Sequence, residues 1–139
     1  MKSEINFSWK EGMAFETEVN GHKLFLDAAE SGGGKDLGPR PKALVMVALA
    51  GCTGMDVVSI LEKMRVKLDN FDVKVSEKKK NKHPKQFTSM HITYEFWGKD
   101  LEPEKLQKAI DLSTEKYCGV SATLNKSIPI THSILIHSL

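Results

Sequence analysis

The chain has 139 residues, 40% of them apolar and 27% charged, with a formal charge of +2. That length suits one domain with a sizeable core and excludes two of ordinary size, so residues 1–139 are expected to form a single domain. The charge is too small to imply nucleic acid or an anionic membrane as a partner, and the opening MKSEINFSWK lacks the apolar stretch and cleavage site of a signal peptide, so a cytoplasmic protein is expected.

The first segment alternates, with Ile5, Phe7 and Trp9 on one face and Asn6, Ser8 and Lys10 on the other, as in a half-buried strand. Glu11-Gly12 marks a turn, Met13 to Val19 a second strand, Asn20-Gly21 a hairpin turn, and His22 to Asp27 a third strand. Together they predict a three-stranded meander. The stretch ESGGGKDLGPRP, Glu30 to Pro41, combines glycines, prolines and charges, and reads as a flexible loop that could face a ligand.

Pro41 suits the first turn of a helix, which is expected to run to about Arg65. Within it, Ala43 to Leu61 carries a single charge, Asp56, and approaches the length of a membrane span. A carboxylate at mid-membrane costs roughly 2.5–3.5 kcal/mol, and Gly51, Cys52, Thr53, Gly54 and Ser59 dilute the apolarity. The segment therefore reads as a helix buried on most sides in a protein core, with no membrane partner.

Phe71 to Lys80 and Gln86 to Trp97 have period-2 patterns and form a long hairpin around a lysine-rich tip, KKNKHPK, whose charge keeps it solvated. Pro103 opens a second helix, with Leu106, Ala109 and Ile110 at helical spacing, and Gly119 reads as its C-terminal stop. A further turn over Val120 to Asn125 and a closing strand over Ile128 to Ile136 complete an α+β order.

The chain has two cysteines. Structural zinc calls for a C-x-x-C pair or a Cys/His cluster, whereas Cys52 and Cys118 lie far apart with no histidine near either, so no metal is expected. A free cysteine is most often a small buried apolar residue, and spacing alone leaves that reading open beside a reactive one. Cys52 is flanked by Gly51 and Gly54, and Cys118 stands at a helix end just before Gly119. Both are places where a ligand can come near the sulfur.

The segment GPRPKALVMVALAGCTGMDVV resembles the signature of the OsmC-like (osmotically inducible protein C) family, in which a Gly/Asn-Pro opening leads into a long apolar helix ending in small residues and a cysteine. EKYCGVSATL is similar to the family's second motif, and IPITHSI to its closing strand. The resemblance implies a two-lobed α+β fold: an N-terminal three-stranded meander, a long central helix carrying Cys52, a β-hairpin, a second helix and a closing strand, assembled as an intertwined homodimer. It also implies a thiol peroxidase acting on organic hydroperoxides. In that role Cys52 is the peroxidatic thiol that becomes a sulfenic acid, Cys118 is the resolving thiol, a dithiol reductant restores both, and no cofactor is needed.

The sequence departs from the active peroxidases of that family at two places. It has no arginine before Arg40, and Lys42 and Ala43 stand in the first helical turn where those enzymes carry a glutamate. Arg40, just before the helix, is the candidate to supply the missing cation that activates Cys52, with Lys42 assisting, and is the candidate substrate-binding residue. Asp56, one turn beyond Cys52, would raise the Cys52 thiol pKa and oppose its activation, and is expected instead to be a buried or interface hydrogen-bonding carboxylate. The alternative function is a non-peroxidatic member of the family that binds a small apolar or electrophilic ligand at the dimer interface. A third reading, a cysteine hydrolase, would use His132 as its base.

Overall fold

The computed structural model describes residues 1–138. They group into a first unit ending at Val45 and a second beginning at Met46.

In the first unit, β1 (Phe7–Glu11), β2 (Ala14–Val19) and β3 (His22–Leu26) form an antiparallel meander in that order. The Asn20-Gly21 turn has φ of 52° and 80°, the left-handed pair that a two-residue hairpin requires and that these two residues tolerate best. Phe7 and Phe15 stack across β1 and β2 at 4.6 Å between ring centres.

The glycine-rich loop is less free than its composition suggests. It contains a 3₁₀ turn at Glu30–Gly32, and the buried Asp27 carboxylate accepts the backbone N–H groups of Ala28 (2.7 Å), Lys35 (3.0 Å) and Leu37 (3.2 Å). Burial pushes the Asp27 pKa up, but these N–H groups outweigh it and hold the carboxyl below its usual range. A Cβ at Gly34 or Gly38 would lie 2.1 Å from the carbonyl oxygen of Ala28 or Phe25, so only glycine lets the chain fold back this closely.

Helix α1 (Pro41–Lys63) starts at the expected proline. Its end is a Schellman motif: Val66 N–H donates to the Leu61 carbonyl at 2.9 Å and Arg65 N–H to that of Glu62 at 3.0 Å, with Arg65 left-handed at φ 59°.

In the second unit, β4 (Asn70–Lys79) and β5 (Phe87–Gly98) form the expected hairpin, and β6 (Ile130–Ser138) adds parallel to β5. A parallel neighbour needs a crossover, and α2 (Pro103–Leu112) with α3 (Gly119–Leu124) supplies it. The core lies on one face of β5, where Met90, Ile92, Tyr94 and Phe96 alternate inward, with Leu106, Ala109 and Ile110 of α2 and Leu49, Val57 and Leu61 of α1 also buried. On the other face of β5, Glu95 is bridged to Lys74 of β4 (2.9 Å) and His137 of β6 (2.7 Å).

Two expectations need correction. Helix α1 is not buried on most sides: Leu49, Thr53, Val57 and Leu61 form one buried stripe at four-residue spacing, while Val47, Met55 and Val58 are exposed. The helix is long and apolar enough to cross a membrane, but its Thr53 and Asp56 are committed to polar partners within the fold. Nor is Gly119 a helix stop. The chain leaves α2 through a π-helical turn, Ser113–Tyr117, and Gly119 opens α3.

Candidate functional site

Cys52 sits in the middle of α1, half-buried, one residue from the buried stripe. A Cβ at Gly51 would meet nothing within 4 Å, whereas one at Gly54 would press on Val73 of β4 at 3.3 Å, so helix and sheet approach closely at Gly54. On the same side of α1, Met55, Val58, Phe71 and Val73 line an open apolar groove of about 380 Å³.

Cys118 reaches the site through the π turn. Thr114 turns its hydroxyl back onto the carbonyls of Ile110 (3.1 Å) and Asp111 (3.3 Å), a habit of threonine that loosens a helix. Cys118 N–H then bonds five residues back, to Ser113 at 2.7 Å, and Cys118 itself becomes extended at φ −79°, ψ 100°. π turns of this kind recur at functional sites. The Cys118 sulfur caps α3 by accepting the Ser121 N–H at 3.3 Å, and the residue is only 2% exposed.

The two sulfurs and an oxygen of Asp56 all lie within 4.8 Å of one another, and the thiols are hydrogen-bonded. Burial pushes the Cys118 pKa up to about 11; its bond to Cys52 and the charges of Cys52 and Asp56 add to this, and the Ser121 N–H opposes it. Cys118 is therefore a neutral thiol near neutral pH and donates its S–H to the Cys52 sulfur.

Asp56 is held by a chain of buried hydroxyls that sequence reading did not find. Ser113 Oγ donates to Asp56 Oδ2 at 2.9 Å, Thr53 Oγ1 lies 2.9 Å from Ser113 Oγ, and Tyr94 OH lies 2.7 Å from Thr53 Oγ1. A hydroxyl has one proton to give. With Ser113 committed to Asp56, Thr53 donates to Ser113 and Tyr94 donates to Thr53, so every dipole in the chain points at the carboxylate. Burial raises the Tyr94 pKa, the bond with Thr53 opposes this, and the charges of Cys118 and Asp56 reinforce it.

These shifts carry a pH dependence of stability. From its ordinary value of 9.0 to about 11, the Cys118 proton is kept by the folded chain and lost by the unfolded one. The stabilisation is therefore complete below pH 9 and disappears as the pH rises through 11. Denaturant midpoints of the reduced protein are expected to fall across that window, and less steeply in Cys118→Ala, where Tyr94 still contributes to the upper part. Equal slopes in the two proteins would show that Cys118 does not titrate this way.

Arg40, the candidate substrate cation, lies in the loop before α1, where its guanidinium pairs with the Asp36 carboxylate and donates to the Gly38 carbonyl at 2.9 Å. Such an exposed pair is weakly held in water. His132 meets Gln107 at 3.2 Å and the edge of Tyr94, and it is not among the Cys52, Asp56 and Cys118 donors gathered within 4.8 Å of one another.

Comparison with known proteins identifies the architecture. Residues 32–133 match the family described as OsmC-like protein. The chain is 37% identical over 131 residues to protein YhfA of Escherichia coli K12, covering 94% of this chain and 95% of that one. A crystal structure of a hypothetical protein from Aquifex aeolicus superimposes with a TM-score of 0.82 at 27% identity, over 99% of this chain and 100% of the other. At 12% identity, an organic hydroperoxide resistance protein from Elizabethkingia anophelis shares the fold, with a TM-score of 0.71 over 99% of each chain. The family match spans both units and both cysteines, and the chain belongs to the OsmC-like protein family.

Proposed function

We propose that this chain is a cytoplasmic, homodimeric thiol peroxidase that reduces organic hydroperoxides in oxidative-stress defence, with residues 1–139 acting as one OsmC-like domain. The observation that carries the reading is the paired sulfurs: a half-buried Cys52 beside a buried, protonated Cys118, both within 4.8 Å of a carboxylate. The name of the Elizabethkingia neighbour adds support at the level of the fold.

In the first step, the Cys52 thiolate attacks the terminal peroxide oxygen and the O–O bond breaks. Cys52 becomes a sulfenic acid, and the alkoxide takes a proton to leave as an alcohol. In the second, the Cys118 sulfur attacks the Cys52 sulfur. The Cys118 proton passes by way of Asp56 to the departing hydroxide, which leaves as water, and a disulfide forms. A dithiol then reduces the disulfide by exchange and is itself oxidised.

This assigns Asp56 to proton traffic in the resolving step, where a base beside the high-pKa Cys118 thiol is needed. The family resemblance favours an alkyl hydroperoxide over hydrogen peroxide as substrate. A second copy of the chain is proposed to cover the exposed Val47, Met55 and Val58, because a lone soluble chain gains nothing from apolar residues on that face. Sedimentation equilibrium showing a monomer would remove that part of the reading.

The test is turnover of cumene hydroperoxide with dithiothreitol as reductant. Organic hydroperoxide is expected to be consumed faster than hydrogen peroxide, and no consumption above the protein-free rate would overturn the proposal. Arg40 is proposed to meet the substrate, so Arg40→Ala should raise KM several-fold with kcat little changed. An unaltered KM would remove Arg40 from the site.

A second reading, binding of a small apolar or electrophilic ligand without peroxidase chemistry, is favoured by one observation: Asp56 places a negative charge beside the thiols, where the active peroxidases are described by an arginine and a glutamate absent here. Stable thiols in the presence of hydroperoxide would decide for it.

A further inference from the structure

We propose that the reduced site is also a binding site for a thiophilic divalent ion of the zinc and cadmium class, held by Cys52 Sγ, Cys118 Sγ and an Asp56 carboxylate oxygen, with a fourth position open to water. Spacing rules for metal sites address ligands close in sequence, and they pass over this cluster because α1 supplies two ligands and the end of the π turn supplies the third.

Geometry supports it first. A tetrahedral zinc ion binds sulfur at about 2.3 Å and carboxylate oxygen at about 2.0–2.2 Å, which sets its donors roughly 3.5–4 Å apart. The three donor atoms already lie within 4.8 Å of one another, so small side-chain rotations close them on an ion. Donor chemistry comes second. Two thiolates with one carboxylate select a borderline or soft ion over magnesium or calcium, which take oxygen ligands.

The support behind the ligands is the third observation. Asp56 Oδ2 accepts from Ser113, itself fixed by Thr53 and Tyr94, and Cys118 Sγ accepts the Ser121 N–H. Metal-binding carboxylates and thiolates are oriented by such partners, and here they stand in place before any ion arrives. Cys52 and Asp56 are half-buried, which leaves a route in from solvent.

Binding replaces the two thiol protons, which pass to solvent, and leaves the ion with two thiolates and a carboxylate. The ion and the peroxide therefore compete for the same sulfur. Oxidation of the thiols to a disulfide by a hydroperoxide or another two-electron oxidant removes two of three ligands, so the site releases its ion when oxidised.

Titration of the fully reduced protein with Cd²⁺, followed by thiolate-to-cadmium absorbance, tests this. One ion per chain is expected, with none bound after Cys52 is alkylated in the folded wild-type protein or after the thiols are oxidised with diamide. Asp56→Asn should weaken binding by at least about tenfold, and Ser113→Ala by roughly 10–100-fold. Unchanged Cd²⁺ affinity in Asp56→Asn, or a stoichiometry other than one per chain, would overturn the site. Because Cd²⁺ binding is read without peroxide, a protein that binds the ion but turns over no hydroperoxide would refute the peroxidase and leave the metal site standing.

Discussion

Cys52→Ser is expected to abolish hydroperoxide turnover, by on the order of 10³-fold or more, whereas Cys118→Ser, with no thiol reductant added, is expected to consume one equivalent and stop at the sulfenic acid. The asymmetry follows from the burial of the two sulfurs. Cys52 is half-buried, so part of the residue is open to an incoming peroxide. Cys118 is 2% exposed and its pKa is raised to about 11, so it is both shielded and protonated, and unsuited to be the first nucleophile. It becomes a nucleophile only when Cys52 has turned into an electrophile next to it. In Cys118→Ser the Cys52 sulfenic acid has no partner and should be trapped by a dimedone probe. A labelled Cys118 in Cys52→Ser, with turnover retained, would reverse the assignment of the two roles.

Thr53→Val is expected to be the most destabilising conservative change in the site, by about 2–3 kcal/mol. Valine keeps the shape of threonine, so the loss comes from hydrogen bonding and not from a cavity. Tyr94 OH would lose its acceptor and Ser113 Oγ its donor, and all three residues are fully buried. For a chain of this size that loss lowers Tm by roughly 8–12 °C by calorimetry. Tyr94→Phe removes the donor at the far end and should cost about 1 kcal/mol, because only one acceptor is left unpaired. Equal losses in the two variants would contradict the donor order that runs from Tyr94 to Asp56.

Elements were legible where local chemistry alone decides them. Pro41 starts α1, Asn20-Gly21 turns the first hairpin, and alternation marks β4 and β5. What was lost depends on atoms far apart in the chain. The π turn at Ser113–Tyr117 has one local signal, the Thr114 hydroxyl bonding back, and it is too weak to separate a distorted helix from a helix end. Gly119 was accordingly read as a stop where it begins a new helix. The outward faces of α1 read as buried in the sequence because apolarity says that a face is to be covered, not what covers it.

The site divides along the same line. Two cysteines in motifs resembling one family were enough to single out Cys52 and Cys118. Their hydroxyl support was not legible, because Thr53, Tyr94 and Ser113 lie 41 and 60 residues apart across three elements and each is unremarkable where it stands. Asp56 was noted for its charge near Cys52, but its anchoring by Ser113 depends on the same fold. The carboxylate that looked opposed to thiol chemistry is held beside both sulfurs by three buried residues.

Cys52 and Cys118 are proposed to act as a redox pair. The measurement that tests it most directly is the intact mass and tryptic map of the reduced wild-type chain after one equivalent of cumene hydroperoxide. Loss of the two thiol hydrogens and a peptide cross-linked between Cys52 and Cys118 are expected. An unchanged mass, or an added oxygen that stays on Cys52 while Cys118 still alkylates after unfolding, would contradict it.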